Sequence, residues 1–146
     1  MRIWSRRGTA GGRSGQAVVE FALVLPVFVL LVFGAIEFGR AYYDLHLLTN
    51  AAREGARRGS LPNQLEADVQ DVVQDFLESV GLSGGWSTTI AVTDAGGTPR
   101  SGLSEAQEGD HVSVTVNYSF QVLTGSLLPG FTGTVQLRGR CVFRHE

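Results

Sequence analysis

Residues 21–36 read FALVLPVFVLLVFGAI, and twelve of them are Leu, Val, Ile or Phe. The run carries no charge. Extended back to Ala17 it becomes 20 residues with Glu20 as the one charged group. As an α-helix such a segment spans ~30 Å, the thickness of a bilayer core. At roughly −0.3 to −0.6 kcal/mol each, the twelve large apolar residues contribute on the order of −5 kcal/mol to membrane insertion. Against this stands roughly 2.5–3.5 kcal/mol for an acidic residue at the helix centre, and Glu20 lies near the end. The sequence therefore predicts a transmembrane helix, with Pro26 bending it rather than ending it.

Working outward, residues 1–15 hold four arginines (Arg2, Arg6, Arg7, Arg13) and no acid, whereas residues 16–146 hold 8 basic and 14 acidic groups, a net of 8 − 14 = −6. A basic leader before an apolar run orients the leader toward the cytoplasm and places the residues beyond the helix on the other side. An acidic remainder lacks the basic footprint of a nucleic-acid binder. Every basic side chain is Arg. Without Lys there is neither a Walker-type phosphate lysine nor Schiff-base chemistry. Cys141 is the single cysteine, so an exported domain would be held by packing and not by an internal disulfide. With 146 residues, the chain has room for an anchor and one small core.

A secretory signal peptide is the first competitor for the apolar run, but Gly39-Arg40-Ala41 is a poor cleavage site after it. Ser5-Arg6-Arg7 resembles the start of a twin-arginine signal, yet Gly8-Thr9-Ala10 behind it is not apolar. The other place for a cut lies before the run. Gly15 is followed by Gln16-Ala17-Val18-Val19-Glu20-Phe21. A glycine, four residues, then Glu-Phe opening a transmembrane helix resembles the prepilin-peptidase site of Tad/Flp pseudopilins of the TadE type. That resemblance implies cleavage between Gly15 and Gln16, with Glu20 as fifth residue of a 131-residue mature chain (146 − 15). A carboxylate in lipid is costly unless paired. The α-amine freed at Gln16, in the same chain or a neighbour, is a natural partner, and pairing across subunits would set the register of an assembly. The alternative is that Glu20 snorkels to the headgroups of an uncleaved anchor.

The helical pattern continues past Ile36. Tyr42 and Tyr43 fall where an interfacial aromatic belt would sit, and no Gly-Pro punctuation appears before Gly59-Ser60-Leu61-Pro62. One helix is expected from about Gln16 to Gly59, ~65 Å long. Within it Ala52, Gly55, Ala56 and Gly59 recur at i, i+3, i+4 and i+7, a helix-packing face of very small residues that lets another element approach closely. Arg53, Glu54, Arg57 and Arg58 occupy the other side. The stretch Asn50–Arg57 (NAAREGAR) is a second feature similar to TadE-like proteins, and the resemblance covers about residues 14–58.

Residues 64–80 predict a second helix, with Leu65, Val69, Val72, Val73, Phe76, Leu77 and Val80 on one stripe, Asn63 as N-cap and Gly81 as terminator. Its acids, Glu66, Asp68, Asp71, Asp75 and Glu78, have the spacing of a solvated face and not of a calcium loop. Trp86, Thr88, Ile90 and Val92 alternate as a strand. Residues 95–110 read as a polar Gly/Ser loop, expected to be mobile. Residues 111–124 alternate cleanly, with Val112, Val114, Val116, Tyr118, Phe120 and Val122 inward. Residues 125–133 form another loop, carrying Leu127, Leu128 and Phe131. A last strand, 134–144, sets Val135, Leu137, Cys141 and Phe143 against Arg138, Arg140 and Arg144.

The expected fold is α+β: a long N-terminal transmembrane helix, a second amphipathic helix and a small antiparallel sheet of three or four strands, as in type IV pilin-like proteins. The expected division is a cleaved leader 1–15, a transmembrane and extended helix 16–60, and an extracytoplasmic domain 61–146. His46, His111 and His145 lack metal-ligand spacing with one another or with Cys141, and no phosphate loop, nucleophile elbow or dinucleotide fingerprint is present. The reading is a structural protein and not an enzyme, with no cofactor, metal, small-molecule substrate or nucleic-acid partner. The resemblance implies a pseudopilin or minor pilin of the bacterial inner membrane. Its partners would be the lipid bilayer, a prepilin peptidase, other pilins or pseudopilins, and pilus assembly proteins. The rival reading is an uncleaved, membrane-tethered extracytoplasmic binding module.

Overall fold

The computed structural model describes residues 12–123 and 133–146. The leader arginines Arg2, Arg6 and Arg7, and the loop residues Leu127, Leu128 and Phe131, lie outside the described residues. Helix α1 runs Gly12–Gly59, 48 residues with Pro26 inside it. It starts earlier than the expected Gln16, because nothing in Gly12–Gly15 stops the backbone from continuing its hydrogen bonding. Pro26 takes one bond out of the ladder, leaving the Ala22 carbonyl without its i+4 donor, yet the helix carries on through it. The chain divides into two compact units between Ile36 and Glu37.

The second unit holds the end of α1, helix α2 (Glu66–Ser79) and three strands, β1 (Trp86–Thr93), β2 (His111–Gln121) and β3 (Thr134–Arg144). The strands form one antiparallel sheet in the order β1-β2-β3. Ile90 pairs with Val114, and Val114 with Cys141. This register puts Val112, Val114 and Val116 on the inner face, all with no exposed area. Period-two alternation of β-branched residues produces this outcome, since a one-residue slip would turn every valine to solvent.

The core is closed from one side by both helices. Leu48, Ala51, Ala52 and Ala56 of α1 and Val69, Val73 and Leu77 of α2 are fully buried against the valines of β2. Each fully buried Leu or Val contributes about 1.5–3 kcal/mol relative to exposure. The approach of α1 to the sheet is set by a glycine in β3. A Cβ on Gly139 would lie 2.5 Å from the Leu48 carbonyl oxygen and 2.6 Å from the Thr49 nitrogen. Only a residue without a side chain lets the helix backbone rest directly on the strand.

Helix α2 begins differently from expectation. Asn63 is not its N-cap: it adopts a left-handed conformation with φ of 60°. Leu65 takes the cap position, its N–H donating to the Asp68 carboxylate at 2.8 Å. Leu65 therefore stands outside the helix and is 60% exposed, not on the buried stripe. The C-terminus follows a Schellman pattern, with Gly81 at φ 86°, the Gly81 N–H on the Glu78 carbonyl and the Leu82 N–H on the Leu77 carbonyl.

The connection from β1 to β2 is ordered, not the mobile loop expected from its Gly/Ser content. The Asp94 carboxylate accepts the N–H groups of Gly96 and Thr98 at 2.9 and 2.8 Å, an Asx-type turn. Leu103, in a short 3-10 turn (Leu103–Glu105), is buried in the core. Arg100 then reaches Asp110, Nε to Oδ2 at 2.9 Å and Nη2 to Oδ1 at 3.3 Å, while the Gln107 N–H donates to the same carboxylate at 2.9 Å. These bonds hold the Asp110 carboxyl below the usual carboxylate range, Arg100 being the main cause and the Gln107 N–H the next. Strand β2 ends at Gln121, three residues short of the expected 124.

Candidate functional site: an exposed apolar helix entered through a glycine and a carboxylate

Every residue from Gly15 to Ile36 is exposed. Leu23 is 72% exposed, Phe28 60% and Leu31 66%. This is the one helix among the described residues long and apolar enough to cross a membrane, with mean hydropathy 2.6 over its best window and none of that window buried. Water does not tolerate a continuous apolar surface of this size, which marks a surface made for another apolar phase.

The polar entrance to this surface lies one helical turn upstream. Nothing lies within 4 Å of the place where a Gly15 side chain would project, so its backbone is open on that side. Gln16, Glu20 and Phe21 are exposed, Phe21 at 64%. The Gln16 side-chain amide donates to Glu20 Oε1 at 3.0 Å, an i,i+4 contact. Glu20 thus takes a hydrogen bond from the side chain of Gln16, while the α-amine expected as its partner would exist only after cleavage.

The small-residue face lies in the second unit. Ala52 and Ala56 have no exposed area, and Gly55 and Gly59 are buried. A Cβ on Gly55 would fall 2.6 Å from Val73 Cγ2 and 3.4 Å from Val114 Cγ1; one on Gly59 would fall 3.1 Å from Val112 Cγ1 and 3.2 Å from Val69 Cγ2. These glycines are where α1 meets α2 and β2 together. Arg53, Arg57 and Arg58 are exposed on the other side, with Arg57 paired to Glu54 at 2.6 Å.

Among the described residues the three histidines and Cys141 do not converge. His46 packs edge-on against Tyr42 at 4.5 Å, His111 is exposed at the start of β2, and His145 is buried beside the β2 entrance, its backbone N–H donating to the Asp110 carbonyl. Cys141 is half-buried on the inner face of β3. Sequence reasoning missed Gly139, Leu103 and the Arg100–Asp110 pair. Gly139 did carry a signal, an isolated glycine in a strand interior, which marks close backbone approach. Arg100 and Asp110 are brought together only by the fold.

No curated protein and no solved structure matches the chain. The family model described as TadE-like protein matches residues 15–57, under a third of the chain but the part that holds Gly15, Glu20, the exposed apolar run and most of the small-residue face. Over this segment the chain matches the TadE-like family that its motifs resemble.

Proposed function

We propose that the chain is a pseudopilin, or minor pilin, that takes part in assembling, priming or anchoring a Tad/Flp-type pilus. The observation that carries this reading is the coincidence of the TadE-like match with a fully exposed apolar helix whose matched segment opens at Gly15. In this reading Arg2, Arg6, Arg7 and Arg13 keep the N-terminus in the cytoplasm, a prepilin peptidase cuts between Gly15 and Gln16, and the second unit lies outside the cytoplasmic membrane. The exposed run then serves twice, as a bilayer anchor and as a surface on which neighbouring pilin helices pack. Cleavage gives Glu20 a cationic amine one turn away, a stronger partner in lipid than the neutral amide of Gln16.

The test is Gly15→Ala expressed beside the native chain in a host that carries the peptidase. The native chain is expected to give the mass of Gln16–Glu146, and the variant to keep all 146 residues. Equal processing of both would defeat the cleavage claim. The rival reading, an uncleaved membrane tether with a binding domain, draws on the Gln16–Glu20 hydrogen bond, which gives Glu20 a partner without any cut. A native chain that begins at Met1 in such a host would establish the tether instead.

A further inference from the structure

Two surfaces of the second unit carry charge of opposite sign. The register assigns Ser113, Thr115, Asn117 and Ser119 of β2 and Arg138, Arg140 and Arg144 of β3 to the outer face of the sheet, with no Asp or Glu on that face of any strand. Arg138 and Arg140 donate through Nε to the neutral acceptors Asn117 Oδ1 and Ser113 Oγ, each at 2.9 Å. Neither is in an ion pair among the described residues. The two bonds hold the guanidinium groups against the sheet and leave their charge uncancelled.

Helix α2, which packs on the inner face, has the reverse composition. It carries five acids and no basic residue. Asp71, Asp75 and Glu78 recur at i, i+4 and i+7 on its exposed side, with Gln74 between them donating to Glu78 at 2.7 Å. Asp75 and Glu78 lie in the last turns, where the helix dipole disfavours negative charge, and no basic residue of the last turn offsets them. This arrangement works against the helix in isolation, and an external cation would relieve it. Asp71 and Asp75 are ~6 Å apart along the axis, and Arg138 and Arg140 ~7 Å apart along the strand, so the two pairs match in spacing.

We propose that the outer face of the sheet, through Arg138 and Arg140, docks on the exposed acidic side of α2, through Asp71 and Asp75, of a second copy of this chain. The two patches are different surfaces on opposite sides of the same layer. The contact is therefore head-to-tail, and such a contact repeats into a ring or an open filament instead of closing as a two-fold dimer. It goes beyond the proposed function and does not depend on cleavage after Gly15.

The test uses the full chain in membranes, in a Cys141→Ser background. One tagged copy carries Gln74→Cys and a second, with a different tag, carries Val142→Cys; both positions are exposed, one within each patch. Oxidation should cross-link the mixed pair, and neither copy with itself. Arg138→Glu with Arg140→Glu on the Val142→Cys copy should reduce the mixed product at least tenfold. Asp71→Arg with Asp75→Arg on the Gln74→Cys copy should restore it. Salt near 1 M, where the screening length is about 3 Å, should also suppress it. Absence of a mixed product with native charges would overturn the proposal. So would a self-cross-link as strong as the mixed one, which would indicate a two-fold contact, or a mixed product indifferent to charge reversal. Protease resistance of each variant, compared with the parent, shows whether it is folded.

Discussion

Phe21–Ile36 and Leu47–Gly59 are two stretches of one helix, and their glycines tell them apart. Nothing lies within 4 Å of a Cβ built on Gly34, whereas one built on Gly55 would strike Val73 at 2.6 Å. The first stretch has large apolar side chains and, among the described residues, no neighbour against it at Gly34; the second has a small-residue face with neighbours on two sides. The second stretch also carries Arg53, Glu54, Arg57 and Arg58 on its outer side, but its buried face is apolar like the first stretch, so apolar character alone does not say which surface the fold covers. Side-chain size does: bulk faces lipid or another chain, and smallness lets the protein's own backbone elements meet.

The comparison can be broken from either end. Leu30→Asp places a charge at the middle of the exposed run, replacing about −0.5 kcal/mol of insertion energy with about +3. The expected result is a chain lost from the membrane fraction while its second unit still resists protease. In the second unit, Gly139→Ala pushes a methyl into the Leu48–Thr49 backbone, which cannot rotate away as a side chain can. A loss of about 3 kcal/mol is expected, at the upper end of overpacking costs, read as a lower urea midpoint.

Gly55→Ala is milder. The clash with Val73 costs about 1–3 kcal/mol, but alanine returns up to about 1 kcal/mol of helix propensity, for a net loss near 1. The same change at Gly34 meets nothing and should leave the second unit's stability untouched. If Gly34→Ala and Gly55→Ala proved equally damaging, the distinction between the two stretches would be lost.

A smaller, pH-dependent effect belongs to the β1–β2 connection. The Asp110 carboxyl is held below its ordinary range by Arg100 and the Gln107 N–H. A group whose folded pKa is lowered contributes stability above its unfolded pKa, about 3.9 for Asp, and loses it as pH falls through the lower folded value. Urea midpoints measured from pH 6 to pH 3 should fall at the acid end, and Asp110→Asn should flatten that part of the curve.

Most of the fold was legible because the signals were periodic. Alternating valines placed β2, and the stripe from Val69 to Leu77 placed α2. What escaped was set by contacts remote in sequence. Asn63 has the chemistry of an N-cap, but the backbone turns left-handed there and Asp68 closes the helix start from within. Leu103 sits in a run of polar residues and is buried only because the fold sets it against β1 and the Gly59 end of α1. In the candidate site the order Gly15, Glu20, Phe21 and the apolar run was readable directly. The helix's extension upstream to Gly12 was not announced by the polar, glycine-rich leader.

The central claim is that Phe21–Ile36 lies in a bilayer with the second unit on the far side of it from the leader. Membranes from expressing cells, washed with alkaline carbonate and then treated with protease from the extracytoplasmic side, test it directly. The account predicts that the chain stays with the lipid after the wash and that protease leaves a short protected fragment containing the apolar run. Recovery of the intact chain in the carbonate supernatant would contradict it.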